Sequence, residues 1–124
     1  ISNPLDFSDG MPGKFFVSNT DSLGEQIQLA FPEVKVVKAL NTVTAALMVD
    51  PMQLANGEHH IFVCGNDQGA KREVTGLLMT WFGWKHIIDL GDISQARGTE
   101  MYLALWLRLW GNMGTGLFNI QVVK

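Results

Sequence analysis

Residues 34–42 read VKVVKALNT, and this stretch decides the fold class. Its valines are β-branched, and Val36 and Val37 are adjacent rather than alternating with polar residues, which is typical of a strand covered on both faces. We predict a strand over 34–40 that ends at once in a polar turn. Open α/β sheets bind ligands just outside the carboxyl ends of their strands. The first candidate binding residues are therefore Ala39, Leu40 and Asn41.

The rest of the chain repeats an alternation of strands and helices. Helical spacing of apolar residues and capping residues predict helices over 22–31, 42–49, 68–82 and 94–110. Apolar, β-branched runs predict further strands over 60–65, 84–90 and 117–123. Such alternation indicates an α/β domain in which a parallel sheet carries helices on both faces.

Two asparagines near strand ends have a local and a functional interpretation. Asn41 could cap the helix that follows it, and local spacing favours this cap, although a cap and a ligand contact can coexist. Ser2, Asn3 and Pro4 form either a plain turn or a site that reads a carboxamide, because an asparagine offers two donors and an acceptor. The sequence leaves both pairs of alternatives open.

Composition excludes several classes of function. The chain has 124 residues, 47% of them hydrophobic, and a net charge of −3 without a basic run, which argues against nucleic acid and anionic membranes as partners. We expect no membrane segment, because no apolar run approaches about 18 residues. The single cysteine, Cys64, permits no disulfide within the chain and favours a reducing, cytoplasmic compartment.

No residue has the spacing of a catalytic acid, base or nucleophile. Arg97 and Glu100 lie one helical turn apart and are interpreted as a structural ion pair. We expect no metal at His59 and His60, because adjacent residues of a strand point to opposite faces. We therefore predict no catalytic residue in this chain. An apolar stripe is either core or a dimer face; it comprises Leu103, Trp106, Leu107 and Trp110.

Several segments together carry a resemblance to a known family. They are ISNPL at 1–5, SLGEQ at 22–26, FPEVKVVKALNT at 31–42, FVCGND at 62–67 and IDLGDI at 88–93, with Ala96, Arg97 and Glu100 beyond. In this order they resemble the NADP oxidoreductases of the deazaflavin-dependent type, including bacterial dinucleotide-binding oxidoreductases and the reductase domain of membrane ferric reductases. The resemblance extends from residue 1 to about residue 110.

The resemblance implies a Rossmann-like fold and a redox site at two strand ends. In that family, the residues that would line the nicotinamide and the facing deazaflavin or flavin ring correspond to Ser2, Asn3, Pro4, Ala39, Leu40 and Asn41. The implied cofactors are NADP, or NAD, with a deazaflavin or a flavin. The implied partner is a small-molecule redox substrate.

The family's G-x-G-x-x-G motif, which holds the pyrophosphate at a helix N-terminus, does not occur in these 124 residues. We therefore expect residues 1–124 to be a single domain that lacks the glycine-rich N-terminal half of a Rossmann-type oxidoreductase. Alone, it should bind dinucleotide weakly or not at all. Its unpaired sheet edge should favour a homodimer.

Three functions follow as hypotheses. The first is an NADP-dependent oxidoreductase that transfers hydride between NADP(H) and a deazaflavin, a flavin or a small acceptor. The second is a non-catalytic half-Rossmann module that serves assembly through the helix at 94–110. A glycine-rich motif upstream in the parent gene would favour the first. The third, reduction of ferric iron, is permitted by the resemblance, but no metal ligand in the sequence supports it.

Overall fold

A computed structural model describes all 124 residues. A short hairpin at the N-terminus precedes an α/β unit in which helices and strands alternate. The strands are β1 (Leu5–Asp6), β2 (Lys14–Phe15), β3 (Val37–Ala39), β4 (His60–Gly65) and β5 (His86–Asp89). The helices are α1 (Leu23–Ala30), α2 (Ala45–Val49), α3 (Gln68–Phe82), α4 (Ala96–Met101) and α5 (Leu103–Met113), and 3-10 turns cover Pro51–Gln53, Ala55–Gly57 and Ile93–Gln95.

The main sheet has three strands in the order β3-β4-β5. β4 and β5 are parallel, whereas β3 runs antiparallel to β4, with Val37 opposite Gly65 and Ala39 opposite Val63. The α/β fold class is confirmed, but the sheet is mixed, not wholly parallel. Between β3 and β4 the chain forms only a five-residue helix and two 3-10 turns, and it returns along the same edge instead of crossing over.

The direction of β3 decides which loops are neighbours. Because β3 runs against β4, its carboxyl end lies near the end of the sheet where β4 begins. The loops that follow β4 and β5 lie at the opposite end. Asn41 and Asn66, which both follow a strand, are therefore kept apart.

Both faces of the sheet are covered. On one face, Ile61 and Val63 of β4 pack with Leu47, Leu78 and Trp84 in the larger core cluster. Successive side chains of a strand point to opposite faces, so Cys64 belongs to the other face, with Ile93 and Ala96. The start of α4 therefore packs against this second face of the sheet.

Most helix boundaries agree with the sequence prediction. The Ser22 hydroxyl accepts a hydrogen bond from the Glu25 backbone at the start of α1, and Asp67 caps α3 in the same way. Gly83 ends α3 with a φ of 78°, a left-handed conformation that glycine adopts without strain.

Three local predictions are wrong. The cap of α2 is Thr44, not Asn41, because the chain makes an extra turn after β3. The helix predicted over 94–110 is a 3-10 turn followed by α4 and α5, which adjoin at Tyr102. Residues 117–123 form no strand; they reach β4 through one backbone hydrogen bond, from His60 N to the Ile120 carbonyl.

No helix combines the length and the apolar character that a bilayer crossing would require.

Candidate functional site

The two asparagines singled out in the sequence form a reciprocal pair. Asn3 Nδ2 donates to the Asn41 carbonyl at 3.1 Å, and Asn41 Nδ2 donates to Asn3 Oδ1 at 3.0 Å. Asn41 Nδ2 also donates to the Thr99 carbonyl of α4 at 3.0 Å. Asn41 is 4% exposed, and its side-chain amide is held by two segments distant in sequence, the N-terminal segment and α4. We call Asn3 and Asn41 the amide pair.

The backbone beside the amide pair is strained. Leu40 has a φ of 62°, in the left-handed region that a branched side chain adopts at a cost of about 1–3 kcal/mol. Its side chain is buried, and the residue separates the end of β3 from Asn41. The turn therefore persists because packing around it imposes it, which is common at functional sites. No pattern in the sequence indicated this strain.

Three other predicted site residues, Ser2, Pro4 and Ala39, contribute to packing or to hydrogen bonds within the chain. Pro4 is fully buried, and its carbonyl accepts from Phe16 N at 3.1 Å, which fixes the N-terminal segment. Ala39 is buried in the larger core cluster. Ser2 is exposed, and its carbonyl accepts a hydrogen bond from the Lys38 ammonium group. The structure thus joins Asn3 and Asn41 through hydrogen bonds and binds Ser2 to Lys38, and cofactor binding by all six residues stays a prediction.

Beside the amide pair lies a buried ion pair that the sequence did not reveal. Lys38 Nζ is 2.8 Å from Glu100 Oε1, and the two side chains are 3% and 2% exposed. Glu100 also accepts from the backbone of Leu23 at 2.8 Å and of Gly24 at 2.9 Å, at the start of α1. Every charge here therefore has a partner, as burial requires.

The predicted ion pair between Arg97 and Glu100 is wrong. Arg97 instead forms a two-pronged contact with Glu25 of α1, at 2.6 and 2.9 Å. Hydrogen bonds from Arg97 hold the pKa of Glu25 below its ordinary value. Helical spacing finds neighbours within one helix, but here α1 lies against α4 and provides closer partners for both side chains.

Cys64 does not act as a nucleophile in this structure. It is 1% exposed, and burial raises the pKa of its thiol to about 11, although the nearby Lys38 charge opposes the shift. The thiolate is the reactive form of cysteine. The side chain is therefore a neutral part of the smaller core cluster.

A cavity of about 280 Å³ adjoins the amide pair. Its lining includes Thr42, which follows Asn41 in the chain, and Thr99, whose carbonyl accepts the hydrogen bond from Asn41. The Tyr102 hydroxyl is buried without a partner, and burial raises its pKa. The larger hollow, about 640 Å³, lies at the opposite end of the sheet, around Asn66 and Asp67. The full lining of the smaller cavity is Thr42, Phe62, Leu90, Gln95, Gly98, Thr99, Tyr102 and Ile120.

The adjacent histidines serve different structural roles. His59 is buried; its Nε2 is 3.0 Å from the Pro51 carbonyl and its Nδ1 is 2.8 Å from Asn119 Nδ2. His60 stacks against His86 with ring centroids 5.0 Å apart. The structure contains no group of three or more histidine, cysteine or carboxylate side chains that could hold a metal ion.

The fold and the site define a class: a Rossmann-like α/β domain with an amide pair beside a strained strand end. The chain is similar to a proposed F420-dependent NADP-reductase from Arthrobacter sp. FB24, known from a crystal structure at 1.70 Å. The two share 58% sequence identity with a TM-score of 0.94 over 98% of this chain. The match covers 55% of the other chain, so this chain spans about half of that protein's length.

No protein-family model matches the chain, and no curated protein sequence matches it. The solved structure nevertheless supports the resemblance to deazaflavin-dependent NADP reductases that the sequence motifs carry.

Proposed function

We propose that this chain supplies the nicotinamide-binding end of an NADP-dependent oxidoreductase, which transfers hydride between NADP(H) and a deazaflavin, a flavin or a small acceptor. The proposal is supported by the likeness to the Arthrobacter protein, whose name states such an activity. It concerns the protein that contains this domain.

The observation that carries the proposal is the unused hydrogen-bonding capacity of the amide pair. Asn41 Oδ1 accepts no hydrogen bond, and Asn3 Nδ2 uses one of its two hydrogens. The pair therefore retains one acceptor and one donor. A primary carboxamide such as that of nicotinamide requires this combination.

The chain contributes binding and orientation rather than a reacting group. Bound NADP(H) and a deazaflavin would supply the hydride chemistry themselves. Asn41 is held by Asn3 and by Thr99, and the Leu40 turn is fixed by packing. Such a preorganised site holds a ring in one orientation without further ordering cost, which favours transfer between two facing rings.

Replacing Asn41 tests the proposal in the intact protein. We expect Asn41→Ala to lower the rate of hydride transfer about tenfold to a hundredfold, because a misplaced ring loses the orientation effect. NADPH absorbance in single-turnover mixing with deazaflavin and flavin acceptors measures the rate. Urea unfolding measures the free energy of unfolding. Its loss should be smaller than the rise in the activation free energy of hydride transfer.

Asn119→Ala is the matched control. Asn119 also donates two side-chain hydrogen bonds, to His59 and to the His60 carbonyl, on another part of the molecule. It should lower stability and leave the transfer rate unchanged. A normal transfer rate in a folded Asn41→Ala protein would contradict the proposal.

A second proposal, assembly through the C-terminal helix, has an observation of its own. α5 buries Leu103 and Leu107 but leaves Leu105 54%, Trp110 42% and Met113 50% exposed. Exposed apolar residues that form a contiguous patch commonly mark a contact surface. We propose that this surface supports a homo-oligomer, a role compatible with hydride transfer.

A further inference from the structure

We infer that Lys38 is a positioning residue, which holds both asparagines of the amide pair through its ion pair with Glu100. The inference rests on the proposed hydride transfer and extends it to residues outside the expected cofactor contacts. Lys38 contacts neither asparagine side chain directly. It acts through Ser2, which precedes Asn3, and through Glu100, which follows Thr99.

Lys38 holds Asn3 through the backbone of the preceding residue. Lys38 Nζ donates to the Ser2 carbonyl, directly before Asn3 in the chain. Ser2 itself is exposed and lies outside any helix or strand. The lysine therefore anchors a segment with few other backbone contacts, since only Pro4, of the first four residues, has a backbone hydrogen bond to another segment.

Glu100, the partner of Lys38, holds Asn41 through the backbone of α4. Glu100 is fixed by Lys38 on one side and by the backbone of Leu23 and Gly24 on the other. Glu100 follows Thr99, whose carbonyl receives the Asn41 amide. One ion pair therefore sets the position of α4 relative to β3 and, through it, the orientation of Asn41.

Stability alone gives little reason for this arrangement. Burying two charges costs several kcal/mol of desolvation per ion, and apolar residues of similar volume are often as stable or more stable. A geometric role accounts for a pair placed at the junction of four segments. Those segments are the N-terminus, α1, β3 and α4.

The test compares two buried lysines in the intact protein. Lys71 is 2% exposed and also binds a carboxylate and a carbonyl, those of Asp89 and Gly91, remote from the amide pair. We expect Lys38→Met to lower kcat about tenfold with the Kd for NADP nearly unchanged, because orientation is lost while the remaining dinucleotide contacts stay. Lys71→Met should leave kcat within about twofold of the wild type.

A second readout does not depend on activity. The side-chain amide ¹H–¹⁵N resonances of Asn3 and Asn41 report the geometry of the pair without cofactor. They should move in Lys38→Met and keep their positions in Lys71→Met. If Lys38→Met does not fold, Lys38→Gln, which keeps a polar donor, is measured in the same two ways.

The outcomes separate the inference from the function on which it rests. Unmoved amide resonances in Lys38→Met, or equal losses of kcat in the two lysine variants, would overturn the positioning role. A wild-type protein that folds but transfers no hydride to any acceptor would refute the proposed function, and the amide resonances would still decide the role of Lys38.

Discussion

The two buried lysines, Lys38 and Lys71, occupy different electrostatic surroundings. Both side chains are 2–3% exposed, and both ammonium groups lie 2.8 Å from a carboxylate oxygen. The partner of Lys38 is the buried Glu100, whereas Asp89, the partner of Lys71, has a side chain that is 46% exposed. Water therefore solvates one member of the second pair and neither member of the first.

The two lysines also connect different parts of the chain. Lys71 joins α3 to the turn after β5, about 20 residues further along the sequence. Lys38 bonds to Ser2 and Glu100, which lie 36 and 62 positions from it in the sequence. Ion pairs of the same length therefore have different roles: that of Lys71 closes a local turn, and that of Lys38 holds segments distant in sequence. The two pairs differ in the burial of the carboxylate.

The largest effect expected from this comparison is on stability. We expect Glu100→Gln to lower the free energy of unfolding by about 3–5 kcal/mol, because Lys38 would remain as a buried, unpaired charge. Asp89→Asn should cost about 1 kcal/mol or less, since solvent screens its exposed carboxylate. Urea denaturation of both variants at neutral pH measures the difference. Equal losses would show that burial of the anion does not distinguish the two pairs.

A second, smaller effect concerns acid. Burial opposes ionisation of Asp89, but hydrogen bonds from Lys71 and from the Gly91 backbone outweigh it and keep the pKa below the ordinary 3.8. The resulting stability is present above that ordinary value and is lost as pH falls through the lowered pKa. The stability difference between wild type and Asp89→Asn should therefore shrink below about pH 4. A difference that stays constant from pH 7 to pH 3 would contradict this account.

The smallest effect falls on the thiol of Cys64, which senses both lysines. Burial raises the pKa of Cys64 to about 11, and the charges of Lys38 and Lys71 each oppose that rise, Lys38 more strongly. We expect Lys38→Met to raise the pKa further than Lys71→Met does, each by less than burial itself. The pH dependence of the Cys64 Cβ chemical shift in alkaline solution measures it. The reverse order of the two variants would place Lys71 as the nearer charge.

The parts of the fold that depend on local pattern were predictable from sequence. Ser22, Asp67 and Gly83 mark helix ends because capping depends on residues within one turn. The six-residue strand at His60–Gly65 agrees with its apolar run. The direction of β3 was not predictable in this way, because a valine-rich strand reads the same whether its neighbour is parallel or antiparallel.

The candidate site was predicted in part. Asn3 and Asn41 were identified, but their mutual contact joins residues 38 positions apart, which no local spacing encodes. Lys38 and Thr99 were missed for the same reason, and Glu100 was assigned the wrong ion partner. The burial of Lys71 was not predictable either, since a lone lysine in a helix gives no sign that a carboxylate of a strand will pair with it.

The antiparallel direction of β3 has a consequence for how such a protein can change over evolutionary time. The amide pair lies at one end of the sheet, and the loop after β4 lies at the other, separated by roughly 15–20 Å of strand. Insertions and substitutions in that loop change no residue that contacts the amide pair. Descendants of one ancestor could thus diversify one end of the molecule while selection keeps the other unchanged.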